Sequence, residues 1–373
     1  MLKTCILFGA GAEIGLGISG GRNFALKVIG VGTGEMDNAI RTFYSYILKN
    51  CNHSEWFPKV VCSAFNEELL LKASVKKEIL DNHREYTLKK EYDKCIEDRV
   101  KSLLNSPKEK EAVLDSYTSY MGIIDEKFHT LISPKALGPQ KFWDVVFCYT
   151  RAYLLIVSEM MQKDSISEVE YQKILFDIDY VKQIISSFCT TKSKLNSYYS
   201  ILRENSDANT SIITTNYTPL CQSITGIASH NIAAIHGQLG LFESPYQLRV
   251  YNGFERALPN ELCFPYMFIQ SGIKPIIEEY QLREYSKMLD FLKNSDRLVI
   301  VGYRINSDDN HINGIIKNYV DNKKIIYLDY DNGSTKEKIC YRLRLDNYEN
   351  LDYRHIDSQN AFSIFTDVLK SSI

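Results

Sequence analysis

Glycine is placed unevenly along this chain, and that placement limits its fold more than any other feature. Of 19 glycines, nine lie in the first 34 residues, two (Gly122 and Gly138) lie between 36 and 205, and eight follow. Glycine supplies the turns and close backbone approaches that strand ends and phosphate loops need. The middle of the chain lacks it and has helical spacing instead. Leu88, Tyr92, Ile96, Val100 and Leu103 step by three or four through a charged background. Phe142 to Met161 is apolar nearly all round, as a central bundle helix would be. Residues 36–205 are therefore expected to form a helical domain, with Pro107, Pro134 and Pro139 as breaks between helices.

The glycine-rich flanks read differently. Short uninterrupted apolar runs recur at Thr4–Phe8, Ser211–Thr214, Ile232–Ile235, Arg297–Val301 and Lys324–Leu328, and such runs suit parallel strands buried on both faces. Helix-like stretches, Lys274–Leu292 and Asp309–Asp321, separate several of them. The expected class is α/β: a Rossmann-like, doubly wound, mostly parallel sheet with a large inserted helical domain. Residues 1–35 and 206–373 would form the discontinuous sheet domain, and 36–205 the insertion.

Composition excludes several classes. The chain has 373 residues, 45% of them hydrophobic, enough for a large core and more than one structural unit. Lys and Arg total 44 against 46 Asp and Glu, a formal charge of −2 without the basic excess of a nucleic-acid grip. The nine cysteines never fall in a C-x-x-C pair, which reads as reduced, scattered thiols and no structural zinc. The first twenty residues have the apolarity of a signal peptide, but Glu13 and four glycines from Gly9 to Gly17 interrupt it. Trp143–Met161 carries Asp144, Arg151 and Glu159, charges that a membrane span would not hold cheaply. No membrane association is expected, and the protein is read as cytoplasmic.

Four motifs could carry chemistry. Gly9-Ala10-Gly11-Ala12-Glu13-Ile14-Gly15 follows the first strand: either a phosphate cradle opening onto a helix start, or a tight turn needing glycine for steric reasons. Thr214-Thr215-Asn216-Tyr217-Thr218 follows the strand ending at 214, where α/β sheets place ligands; Asn216 and Thr215 could equally cap a helix or close an Asx turn. His236-Gly237 follows Ile232–Ile235, and a histidine there can act as a general base or serve packing. Leu298 to Asp309 reads as a strand, a Gly302-Tyr303 turn and a helix start, with Ser307 or Asp308 as its cap.

In order and spacing the set resembles the sirtuin-like (silent information regulator two) NAD-binding family. The residues that carry the resemblance are Gly9-Ala10-Gly11, Gly17-Ile18, Arg22, Thr214, Asn216, His236 and Gly237. Thr214-Thr215-Asn216-Tyr217 and Gly302-Tyr303 with Asp308 look most like the NAD-glycohydrolase domains of bacterial anti-phage systems. Four positions depart from the family pattern: Glu13 stands in place of serine, Ser19 of proline, Gly21 of phenylalanine and Thr218 of aspartate. With the paired cysteines of the deacylating members also missing, the resemblance implies NAD cleavage more than protein deacylation.

What it implies for the site is specific. NAD is the substrate and no metal is needed. Asn216 would orient the ribose hydroxyls and the attacking water, and His236 would accept a proton. Gly9, Ala10, Gly11 and Glu13 would lie along the pyrophosphate, and Arg22 beside the phosphate or the nicotinamide ribose. Thr214, Thr215 and Tyr217 would line the site, with Gly302, Tyr303 and Asp308 at the adenosine end. A homo-oligomer gated by assembly or by a partner is expected, a HerA-like ATPase being one candidate, since the chain has no P-loop of its own. A zinc-free deacylase or ADP-ribosyltransferase, and a non-catalytic nucleotide sensor or scaffold subunit, are the alternatives.

Overall fold

A computed structural model describes residues 2–20, 24, 27–28, 34–52, 139–206, 209–247, 249–267, 279–305, 309–320, 323–330, 334–345 and 347–371. The helical spacing at 88–103 lies outside these residues. The described strands are β1 (Thr4–Phe8), β2 (Thr210–Thr214), β3 (Ile232–Ala234), β4 (Gly237–Ser244), β5 (Arg249–Asn252), β6 (Phe264–Met267), β7 (Arg297–Val301), β8 (Lys324–Asp329) and β9 (Leu351–His355). The described helices are α1 (Glu35–Asn50), α2 (Pro139–Met161), α3 (Glu168–Phe176), α4 (Ile178–Lys192), α5 (Tyr198–Asn205), α6 (Leu220–Thr225), α7 (Glu279–Asn294), α8 (Asn310–Val320), α9 (Lys336–Leu343) and α10 (Ala361–Lys370). None is long and apolar enough to cross a membrane.

The chain divides into two compact units. The first takes residues 1–20, 185–238 and 280–373, and the second takes 21–184 and 239–279. The sequence reading drew its borders elsewhere, at 35/36 and 205/206.

The first unit is built on a six-stranded sheet in the order β3-β2-β1-β7-β8-β9, and every described pairing in it is parallel. Counted within that sheet alone, the order is 3-2-1-4-5-6, the doubly wound arrangement of dinucleotide-binding folds. The fold class is therefore α/β, as the apolar runs indicated. Alternation along β1 supplies both faces. Cys5 and Leu7 join a core with Tyr285, Met288 and Leu292 of α7, Ile312 and Ile316 of α8, and Ile339 and Leu343 of α9. On the other face Phe8 meets Tyr199 of α5 at 5.0 Å and Phe365 of α10 at 6.3 Å between ring centroids.

In the second unit α2 begins at Pro139, where the missing N–H costs nothing, and residues 146–157 are buried all round. Its one charge there, Arg151, is matched by Asp37 of α1 through bonds of 2.8 and 2.5 Å. The same unit carries a three-stranded sheet, β5-β4-β6, that the sequence reading did not foresee.

Candidate functional site

Strand order reverses between β1 and β7, so the crevice beyond their carboxyl ends is where an open α/β sheet takes a ligand. Two loops meet there. The Gly9 N–H donates to Val301 O (3.0 Å) and the Gly11 N–H to Gly302 O (2.9 Å). A Cβ on Gly9 would lie 2.4 Å from Tyr303 Cα, and one on Gly11 2.8 Å from Gly302 Cα. Gly302 itself has φ +64 and would place a Cβ 2.3 Å from Ala12 N. Glycine is demanded here by two backbones in contact, the steric alternative for this motif. The N–H groups of Gly9 and Gly11 are thus both used within the protein. Residues 10–12 and 14–16 form two short 3₁₀ turns directly after the strand, and the second ends on Gly17 at φ 93.

Glu13 turns inward from this loop. It is 1% exposed, and its carboxylate accepts from Tyr199 Oη at 2.8 Å and from Thr218 Oγ1 at 2.8 Å to each oxygen. Burial pushes the carboxyl up to about 7, while hydrogen bonds from Thr218, Tyr199 and Asn216 pull the other way. The two residues that depart most from the family pattern thus face each other.

Asn216 closes the same network. Its Nδ2 donates to Tyr199 Oη at 3.1 Å, and its N–H donates to Thr214 Oγ1 at 3.0 Å. Its Oδ1 is buried with no partner among the described residues. The capping alternative does not apply to Asn216, because α6 begins after Pro219 without a side-chain cap. The Thr215 N–H continues the sheet to Phe8 O (3.1 Å), and Tyr217 lies half-buried in the loop.

His236 reaches the same rim by register. Thr214 pairs with Ala234, and the Ile235 N–H donates to Thr214 O at 2.9 Å, so Asn216 and His236 each stand two positions past the last paired residues. His236 Nε2 lies 3.6 Å from Asp309 Oδ1, an ion-pair distance, and both side chains are largely buried. His311 completes a group whose ligand atoms lie within 4.8 Å of one another. Two imidazoles and a carboxylate are a donor set that divalent zinc or iron can use, although ligands about one ion stand closer, at roughly 3–3.5 Å.

Beside the loops lies a cavity of about 700 Å³, walled in part by Gly11, Gly15, Gly302, Tyr303, Asp329 and Arg342. Tyr198, Tyr327, Tyr330 and Phe362 give it aromatic walls, and Arg304 adds a second cation. Tyr303 is fixed by its hydroxyl donating to Asn313 Oδ1 (3.0 Å), and its carbonyl accepts from Tyr327 Oη (2.9 Å).

The expected residues therefore gather in two neighbouring places. Glu13, Thr214 and Asn216 share the buried network, whereas Gly11, Gly302 and Tyr303 wall the cavity; Asn216 and His236 are not among its walls. Arg22 and Asp308 lie outside the described residues. Sequence reading missed Tyr199 and Asp309 as site residues, and also Asp329 and Arg342. Asp329 ends a recognised strand, which was the one local signal available.

No family's sequence model matches the chain, and no curated protein matches it. Thirteen solved chains resemble its structure. One is a crystal structure of Sir2 in complex with an inhibitor, 2′-O-acetyl-ADP-ribose and a deacetylated p53 peptide. It is 11% identical over 52% of this chain and 83% of its own, with a TM-score of 0.32. A likeness at that score carries no argument, and the α/β assignment stands on the sheet order itself.

Proposed function

We propose that this protein binds NAD at the carboxyl rim of its parallel sheet and hydrolyses the nicotinamide–ribose bond, releasing nicotinamide, ADP-ribose and a proton. The observation that carries this reading is Asn216 Oδ1, a buried acceptor with no partner among the described residues, two positions past the end of β2 on a sheet whose first loop borders a cavity large enough for a nucleotide. The family resemblance of the motifs supplies the substrate. Nicotinamide leaves as a neutral group and needs no acid, so catalysis consists of holding a cation-like ribose and delivering water. Asn216 would orient the ribose hydroxyl or the water. His236, held at ion-pair distance by Asp309, would take the proton. The aromatic walls and Arg304 and Arg342 suit the adenine and phosphates, and Asp329 suits ribose hydroxyls. An enzyme that consumes NAD needs restraint in its own cell. Gating by self-assembly or by a partner ATPase, as in an anti-phage effector, is part of the same reading.

The test is nicotinamide release from NAD by the purified protein, with and without an acceptor peptide. Asn216→Ala should lower kcat on the order of a hundred- to a thousandfold, and His236→Ala roughly 10²–10⁴-fold, with folding intact by circular dichroism. Wild-type rates in Asn216→Ala refute the reading. Release that requires the peptide replaces hydrolysis by group transfer.

A further inference from the structure

Glu13 is a buried titratable group that this chemistry leaves unused. Its position decides which way round Asn216 is held. A phenol has one proton to donate. While Glu13 is ionised it can only accept, so Tyr199 spends its proton on Glu13 Oε1 (2.8 Å). The Tyr199 oxygen is then left to accept, which it does from Asn216 Nδ2 at 3.1 Å. The amide is fixed with its nitrogen toward Tyr199 and its oxygen away, and that oxygen is buried with no partner among the described residues. Thr218 gives its own proton to Glu13 and accepts the Leu220 N–H at 3.4 Å, so it reinforces this polarity. A protonated Glu13 has a donor of its own. Tyr199 can accept it and turn its proton to Asn216, and the amide loses its fixed orientation.

We propose that Glu13 is a positioning residue for Asn216, acting through Tyr199 to present the amide oxygen as an acceptor to a hydroxyl or water at the reacting ribose. The proposal rests on the role given to Asn216 under NAD cleavage. The titratable groups facing Glu13 among the described residues are Tyr199 on α5, Cys189 on α4 and Cys221 on α6. Burial pushes all three up, so they stay neutral where the carboxyl titrates. The carboxyl itself is held at about 7, so the orientation is lost as pH falls through neutrality.

Glu13→Gln and Tyr199→Phe should each lower kcat about ten- to a hundredfold, by analogy with the loss when the outer hydrogen-bond partner of a metal ligand is removed, with KM for NAD changed less than about threefold. The double variant should be no slower than the worse single one, because both break one chain of bonds. Additive losses, or losses carried by KM, overturn the proposal. The second readout needs no turnover: the infrared carboxyl band of Glu13, taken as wild type minus Glu13→Gln. Its midpoint should lie near 7 and move up in Tyr199→Phe. An unmoved midpoint overturns the link. A protein that leaves NAD intact yet shows the moved midpoint refutes NAD cleavage and supports the link.

Discussion

A carboxyl group as buried as Glu13 is costly in its charged form, and the cost has a sign that stability measurements can read. Its folded value of about 7 lies above the ordinary 4.5, so the folded chain keeps a proton that the unfolded chain releases in that interval. Stability from this group is therefore full below about pH 4.5, declines as pH rises to about 7 and is flat above. The fall should be on the order of 3 kcal/mol. Denaturant unfolding at a series of pH values should show it in wild type and not in Glu13→Gln; equal pH slopes in the two proteins contradict the assignment. At this scale the sequence was half legible. Glu13 and Thr218 stood out as departures from a pattern. What joins them did not, because Tyr199 lies 186 residues from Glu13 and no local signal links a tyrosine on a helix to a distant loop. Asp309, which meets His236, was not singled out, since a strand–loop–helix pattern does not tell which loop residue turns toward a neighbouring strand end.

Among elements, the first loop separates glycines that serve packing from those that border open space. Gly11→Ala should destabilise by about 1–3 kcal/mol, because the atoms it would strike belong to the Gly302 backbone and cannot yield as a side chain can. Gly302→Ala should cost more, since positive φ adds to the contact with Ala12. Gly15→Ala meets nothing within 4 Å and should leave the melting temperature unchanged. Gly15 also walls the cavity, so a weakened nucleotide affinity in that variant would report binding alone. Thermal melts of the three variants check the ranking; equal shifts for Gly11→Ala and Gly15→Ala would contradict it. Strands buried on both faces were readable because their central runs, such as Leu298–Val301 and Ile325–Leu328, are unbroken by charge. β9 was not: Leu351 alone is buried in its run, as suits a strand at the sheet's edge. β5, Arg-Val-Tyr-Asn, gives no apolar alternation either.

For the molecule as a whole, the order of assembly matters more than any single contact. β1 lies between β2 and β7, paired with each over five residues, yet its partners begin about 200 and 290 residues further along the chain. Local pattern could identify these strands but not seat them side by side. That depends on a crossover that runs through most of the second unit before returning to the sheet. Closing loops of that size before the sheet rewards it makes folding slow. It also makes β1 indispensable. Deleting residues 1–20 would strip β2 and β7 of a shared partner and expose two hydrogen-bonding edges together with the apolar residues Cys5, Ile6, Leu7 and Phe8 packed against. The deletion should therefore cost the first unit its cooperative unfolding transition instead of lowering its midpoint by a few degrees, and the product should aggregate. Circular dichroism during a melt and light scattering at micromolar concentration read both effects. A soluble deletion variant with a sharp transition would show that β2-β3 and β7-β8-β9 can close on each other without the strand that now divides them.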